Sequence, residues 1–250
     1  MASRILRNII SPFRHNKTRE NDLDLIMEEE FGHVFARIES FTMTSKERAF
    51  ALYKAVQYII DAGIEGDFVE CGVWKGGSAM VIAYALIERG QANRRILLFD
   101  TYEGMSKPTK EDYRLSNNTI CAEHEWNTKQ NLDHNQWCFS PLDEVRNNML
   151  STGYPDDKIV FVKGKVEDTI PKNMPERIAL LRLDTDWYES TKHELEYLYP
   201  ILVKNGVLIV DDYGFWAGAK KATDEYFTPK NRILLNRIDN TGRIGIKTDP

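Results

Sequence analysis

Gly66-Asp-Phe-Val-Glu70-Cys-Gly72-Val-Trp-Lys-Gly76-Gly77-Ser78 is the stretch that decides the fold. It reads as a short apolar strand over 68–70, a glycine-rich turn, and the start of a helix carried on through 79–90. A second apolar strand, Arg95-Ile-Leu-Leu-Phe99, follows and closes on Asp100. Two parallel strands need a crossover between them, usually a helix, so this order predicts one unit of a parallel sheet. Gly72 and Gly76 let the backbone approach a ligand closely. An acid at the end of the next strand can accept hydrogen bonds from ribose hydroxyls. The unit therefore predicts a nucleoside-containing cofactor, although glycine also serves any tight strand-to-helix turn.

The turn lacks the Gly-x-Gly-x-x-Gly spacing that seats a pyrophosphate on a helix N-terminus. Glu70 stands before the turn, where its charge would repel phosphate but could hold an ammonium group. S-adenosylmethionine carries an ammonium and no phosphate, so Glu70 with Asp100 fits it better than a dinucleotide. The bland alternative is that Glu70 is a solvated charge at a strand end.

Further along, two apolar runs end in acids. Ile178-Ala-Leu-Leu-Arg-Leu183 leads into Asp184-Thr-Asp186, and Val207-Leu-Ile-Val210 leads into Asp211-Asp212. Four carboxylates at two strand ends suit a divalent cation such as magnesium, which takes oxygen ligands and keeps positions free for water or substrate. Aspartates after strands can also simply cap the next helix.

The rest of the chain supplies the remaining elements. Helices are predicted over 22–37, over 48–62 after a capping box at Thr44-Ser-Lys-Glu47, over 142–151 with Ser140 as N-cap and Pro141 at the first helical position, and from a Thr191/Glu194 capping box to about Tyr199. Further strands are predicted over 159–162, 178–183 and 207–210, with a terminal hairpin over 232–239 and 243–247 around Asn240-Thr-Gly242. The polar segment 105–137, with Trp126 and Trp137, interrupts this rhythm. Its length suggests a lid, and its aromatic rings could stack on a substrate or anchor the core.

Composition bounds the function. The chain has 250 residues, 42% hydrophobic and 28% charged, enough for a full core. A net charge of -5 leaves no basic footprint for nucleic acid. No apolar run approaches the roughly 20 residues of a membrane span. Three cysteines without CxxC spacing suit a reducing cytoplasm better than a disulfide or zinc framework. Residues 1–19 form a separate basic amphipathic segment, read as a helix packed on the domain or on a partner subunit ahead of an interfacial membrane contact. Residues 21–250 form a single domain, with the lid insertion at about 105–140.

Four motifs in order carry a resemblance: Phe68–Ser78, Leu98-Phe-Asp100-Thr-Tyr-Glu103-Gly104-Met105, Leu181-Arg-Leu-Asp184-Thr-Asp186-Trp-Tyr-Glu189-Ser190-Thr191, and Val207-Leu-Ile-Val-Asp211-Asp212-Tyr213. The chain resembles the macrocin O-methyltransferase family, S-adenosylmethionine- and magnesium-dependent enzymes that methylate sugar hydroxyls. The resemblance implies an α/β, Rossmann-like class I methyltransferase fold: a mostly parallel seven-stranded sheet with an antiparallel last strand, helices on both faces, added N-terminal helices and the lid. It implies cofactor contacts at Glu70, Gly72, Gly76, Ser78, Asp100, Thr101, Gly164 and Asp168, and metal ligands Asp184, Asp211 and Asp212. The adenine-side loop Gly164–Pro171 departs from the family by having Lys165 and Val166 where aromatics often stand.

A sugar hydroxyl is a poor nucleophile at neutral pH, so the reaction needs a base as well as a metal. Asp186 is the expected base, as the resemblance implies; His134 and His124 in the lid are the rivals, because histidine titrates near neutral pH. The expected acceptor is a sugar or glycosylated small molecule, and a homo-oligomer is left open. The competing functions are a metal-dependent hydrolase, which would leave Glu70 and the glycine turn unexplained, and a non-catalytic binding module, against which the intact aspartates argue.

Overall fold

The computed structural model describes residues 28–229 and 232–249. The expectations for residues 1–19, and for the first part of the helix predicted over 22–37, lie outside them.

Seven strands form one sheet: β1 (Asp67–Cys71), β2 (Ile96–Asp100), β5 (Ile159–Lys163), β6 (Ile178–Leu183), β7 (Leu202–Val210), β8 (Asn236–Arg237) and β9 (Arg243–Ile246). Their order is β5-β2-β1-β6-β7-β9-β8, with the first five parallel and β9 antiparallel to both of its neighbours. The expected sheet is therefore present. From β1 the chain builds outward through β2 to β5, then returns to the other side of β1 with β6. Ligands in such sheets sit beyond the carboxyl ends of the strands at this reversal.

Alternation along each strand splits the core. Phe68, Leu98, Leu180 and Ile209 face one side, packed beneath α1 (Glu29–Ile38), α2 (Lys46–Asp61), α3 (Gly77–Glu88) and α5 (Leu142–Ser151). Val69, Leu97, Leu181 and Leu208 face the other, with α6 (Val166–Thr169) and α7 (Tyr188–Tyr197). The six residues of β6 are all buried, which is why it reads as an apolar run interrupted only by Arg182. Helix α3 is buried from Gly77 to Leu86, as expected of a helix apolar on every side. Among the described residues no helix is long and apolar enough to cross a membrane.

Local starts and stops differ from the sequence reading by short shifts. The N-cap of α2 is Ser45, whose Oγ accepts from the Arg48 amide, and not Thr44. Helix α5 starts at Leu142 with Pro141 in the N-cap position, while Ser140 donates to the Glu144 carboxylate. Thr191 and Glu194 do not cap a helix: α7 begins at Tyr188, and both residues are buried inside it. The first arm of the terminal hairpin shrinks to β8.

The segment 105–137 is more regular than its polar sequence suggests. It holds a hairpin, β3 (Tyr113–Arg114) with β4 (Asn117–Cys121), and a short helix α4 (Ala122–Thr128). Buried Asp112 ties it to the domain by accepting from the Tyr188 amide at 2.8 Å, the first residue of α7. Trp187 Nε1 donates to the Ser106 carbonyl at 2.9 Å. Trp137, Trp187 and Trp216 meet edge to face with centroids 5.0–6.0 Å apart, in a small core that also holds Ala122 and Ala219 of α8 (Ala217–Tyr226).

Candidate active site

Two adjoining cavities open beyond the carboxyl ends of β1, β2, β5 and β6. The first is walled by turns: Gly72, Val73 and Trp74 after β1, Asp100 and Thr101 after β2, Gly164–Glu167 after β5, and Asp184–Asp186 after β6. Gly72 has φ +83, and a Cβ built there would lie 2.1 Å from the Asp184 carbonyl oxygen. Only glycine lets the β1 and β6 ends come this close, and the Asp184 amide closes the contact by donating to the Cys71 carbonyl at 2.8 Å. Asp100 holds the wall together. Its Oδ2 accepts from the amides of Val73 (2.6 Å) and Trp74 (3.2 Å), its Oδ1 from the amide of Tyr102 (2.7 Å). Burial pushes its carboxyl up, and these amides pull it down.

The second cavity is lined by charges and aromatic rings: Arg48, Glu70, Arg114, Arg182, Asp184, Asp186, Asp211 and Asp212, with Trp137, Phe215 and Trp216. Five residues of the strand ends and the insertion, Val73, Trp74, Cys138, Asp184 and Asp186, line both cavities, as does Met43 from the loop before α2. They frame the passage from one to the other.

Asp184, Asp186 and Asp212 each bring a carboxylate oxygen within 4.8 Å of the other two, and form the one such acidic group among the described residues. Asp186 reaches this place because the chain leaves β6 after Leu183 and turns, with Asp186 in the left-handed region at φ 70. Loss of hydration pushes the Asp186 carboxyl up to about 7, and the charges of Asp184 and Asp211 add to the shift. The carboxyls of Asp184 and Asp212 are driven well above the ordinary range by the same burial and crowding. Such a group is under electrostatic stress that a cation would relieve.

Asp211 is differently placed. Its Oδ1 accepts from Arg182 at 2.7 Å and its Oδ2 pairs with Arg48, so both oxygens are committed to guanidinium groups. Arg182, almost wholly buried, also bonds Glu70 and Asp184. The structure thus brings Asp186 into the carboxylate group in the place expected for Asp211. Glu70 is buried: one oxygen takes the Arg182 bond, the other has no partner, and burial raises its carboxyl to about 7 against the pull of Arg182. Glu70 and Ser78 open on the second cavity, while Gly72, Asp100, Thr101 and Gly164 line the first.

Gly76, Asp168, His124 and His134 line neither cavity. Gly76 instead supplies the turn into α3 at φ +90. Asp168 is exposed on α6, where its neighbour Glu167 takes the cavity position. His124 is exposed on α4, and His134 bonds Asp133 at 2.7 Å while stacking on Phe139. Neither histidine stands beside the aspartates. Sequence reasoning missed Arg48, Arg182 and Cys138; the single arginine inside the apolar run 178–183 was the available signal for Arg182.

The family described as Macrocin-O-methyltransferase (TylF) matches residues 11–244. The chain belongs to that family. Among its relatives is the 8-demethyl-8-(2,3-dimethoxy-alpha-L-rhamnosyl)-tetracenomycin-C 4'-O-methyltransferase of Streptomyces olivaceus, 34% identical over 80% of this chain and 73% of the relative. The mycinamicin III 3''-O-methyltransferase of Micromonospora griseorubida is 31% identical over 74% and 69%. The solved O-methyltransferase NovP superposes with a TM-score of 0.73 at 28% identity, covering 84% of this chain and 83% of that one. The likeness to NovP agrees with the class I methyltransferase sheet described above.

Proposed function

We propose that the chain is an S-adenosylmethionine-dependent, divalent-metal-dependent enzyme that methylates a hydroxyl of a sugar or glycosylated small molecule. The observation that carries this reading is the passage between the cavities, where Asp184 and Asp186 face both sides. The first cavity has the groups a nucleoside requires, with Asp100 and Thr101 for ribose hydroxyls and Gly164–Glu167 beside the base. Glu70 opens on the second cavity, so its unpartnered oxygen suits the cofactor's ammonium only where the amino-acid end of the cofactor reaches through the passage. The second cavity offers aromatic faces for a sugar ring. A relative named for a rhamnosyl-bearing acceptor agrees with it.

The donor set is all carboxylate, which suits magnesium, and Asp184 and Asp212 would hold the ion. When bound, S-adenosylmethionine supplies an electrophilic sulfonium methyl, and the cation withdraws charge from a coordinated hydroxyl and so acidifies it. Asp186 accepts the hydroxyl proton, and its poise near neutrality suits that task. Asp211 neutralises Arg48 and Arg182 and keeps them beside the acids. Trp137 and Trp216 exclude water and orient the acceptor. With its proton on Asp186, the hydroxyl oxygen would be left as the nucleophile for the methyl that bound S-adenosylmethionine would supply, with S-adenosylhomocysteine as the leaving group.

The test is transfer from isotopically labelled S-adenosylmethionine to a panel of glycosides, read by mass spectrometry with chelator and after magnesium is restored. Labelled methyl ether that appears only with the metal is the expected result. Full transfer in chelator would remove the metal from the reading.

A further inference from the structure

Glu194 is the buried acid that the chemistry above does not use. It lies in the middle of α7, wholly buried, and no ion pair among the described residues reaches it. A carboxyl is rarely left so far from water without a purpose or a cationic partner. Its Oε1 accepts from Thr185 Oγ1 at 2.9 Å, and its other oxygen has no hydrogen-bond partner. Loss of hydration raises the carboxyl well above its ordinary range.

Two bonds hold the turn from either side: the Cys71 carbonyl accepts from the Asp184 amide, and the next residue, Thr185, donates its hydroxyl to Glu194. The Thr185 carbonyl is fixed as well, accepting from the Trp187 amide at 2.8 Å. The two carboxylates of the passage therefore flank a residue pinned from below, in a loop whose last member takes the left-handed conformation. Left unpinned, a three-residue turn of this kind has many other arrangements.

We propose that Glu194 is a positioning residue, bracing Thr185 so that Asp184 keeps its place beside Asp212 for a divalent cation, with Asp186 next to them. The inference deepens the metal reading above and rests on it. Partners that orient ligands in this way typically change metal affinity about 10–100-fold when removed.

The test uses the full chain and manganese alone as a paramagnetic probe, titrated by electron paramagnetic resonance, beside calorimetry with S-adenosylhomocysteine. Glu194→Ala should weaken manganese binding about 10–100-fold while S-adenosylhomocysteine affinity holds. Glu194→Gln keeps the acceptor for Thr185 and should restore manganese affinity. Should Glu194→Ala fail to fold, Thr185→Val against Thr185→Ser decides: loss of affinity in the first and retention in the second supports the brace. Unchanged manganese affinity in Glu194→Ala or Thr185→Val overturns it, as does a Gln variant as weak as the Ala variant. If the unaltered protein binds no manganese, the metal reading itself fails and the brace falls with it.

Discussion

On the side of Asp184 and Asp186 that we propose for the cofactor the wall is made of backbone turns, and Asp100 spends its oxygens on three nearby amides. On the acceptor side the wall is made of side chains drawn from distant parts of the chain, with acids crowded together and arginines buried among them. The first arrangement is internally satisfied and would change little when a nucleoside binds. The second is electrostatically incomplete and gains most from a ligand, because a buried carboxylate group without enough positive charge costs stability. The contrast teaches where substitutions will act on folding and where on binding.

The largest effect separates the neighbours Asp211 and Asp212. Asp211→Asn takes a shared buried counter-charge from Arg48 and Arg182, leaving Asp239 to the first and Glu70 and Asp184 to the second, so in denaturant titration it should lower stability by up to about 3–5 kcal/mol, the cost of a wholly unpaired buried charge. Asp212→Asn removes an acid from a crowded group, so it should leave stability near that of the parent and raise the magnesium requirement instead. Reversed outcomes would return Asp211 to the metal set and break the contrast.

A smaller effect is expected from Asp100→Ala. It removes the acid expected to meet the ribose and should weaken S-adenosylhomocysteine binding by about 1.5–3 kcal/mol, the range for hydrogen bonds to charged groups. Calorimetry should show it, and unchanged affinity would place the cofactor elsewhere. The smallest effects belong to His124→Ala and His134→Ala, since both side chains lie outside the cavities. Turnover in these variants should match the parent, and a large loss in either would bring the insertion into the chemistry.

The cofactor side was legible in the sequence because its parts are local. A glycine turn after β1 and an acid after β2 are short-range signals, and Gly72, Asp100 and Thr101 all line the first cavity. The acceptor side was only half legible. The aspartates were visible, but the pairing that separates Asp211 from Asp212 comes from Arg48, 163 residues away. No periodicity predicts such a contact. Helix α7 was misread for a related reason: Thr191 and Glu194 have capping-box spacing, yet burial makes them part of the helix interior and frees Glu194 to reach Thr185. The hairpin inside the insertion escaped notice because its residues are polar and its strands brief.

The central claim is that Asp186 takes the proton as the methyl passes between the cavities. Single-turnover methyl transfer across pH, for the parent and for Asp186→Asn, tests it most directly. A base works when deprotonated, so the parent rate should rise with pH and level off at or below about 7, where burial sets the carboxyl and a bound cation would pull it lower. Asp186→Asn should lose that inflection and run about 10²–10⁴ slower, with S-adenosylhomocysteine affinity unchanged. A variant that keeps both the parental rate and the inflection would contradict the account.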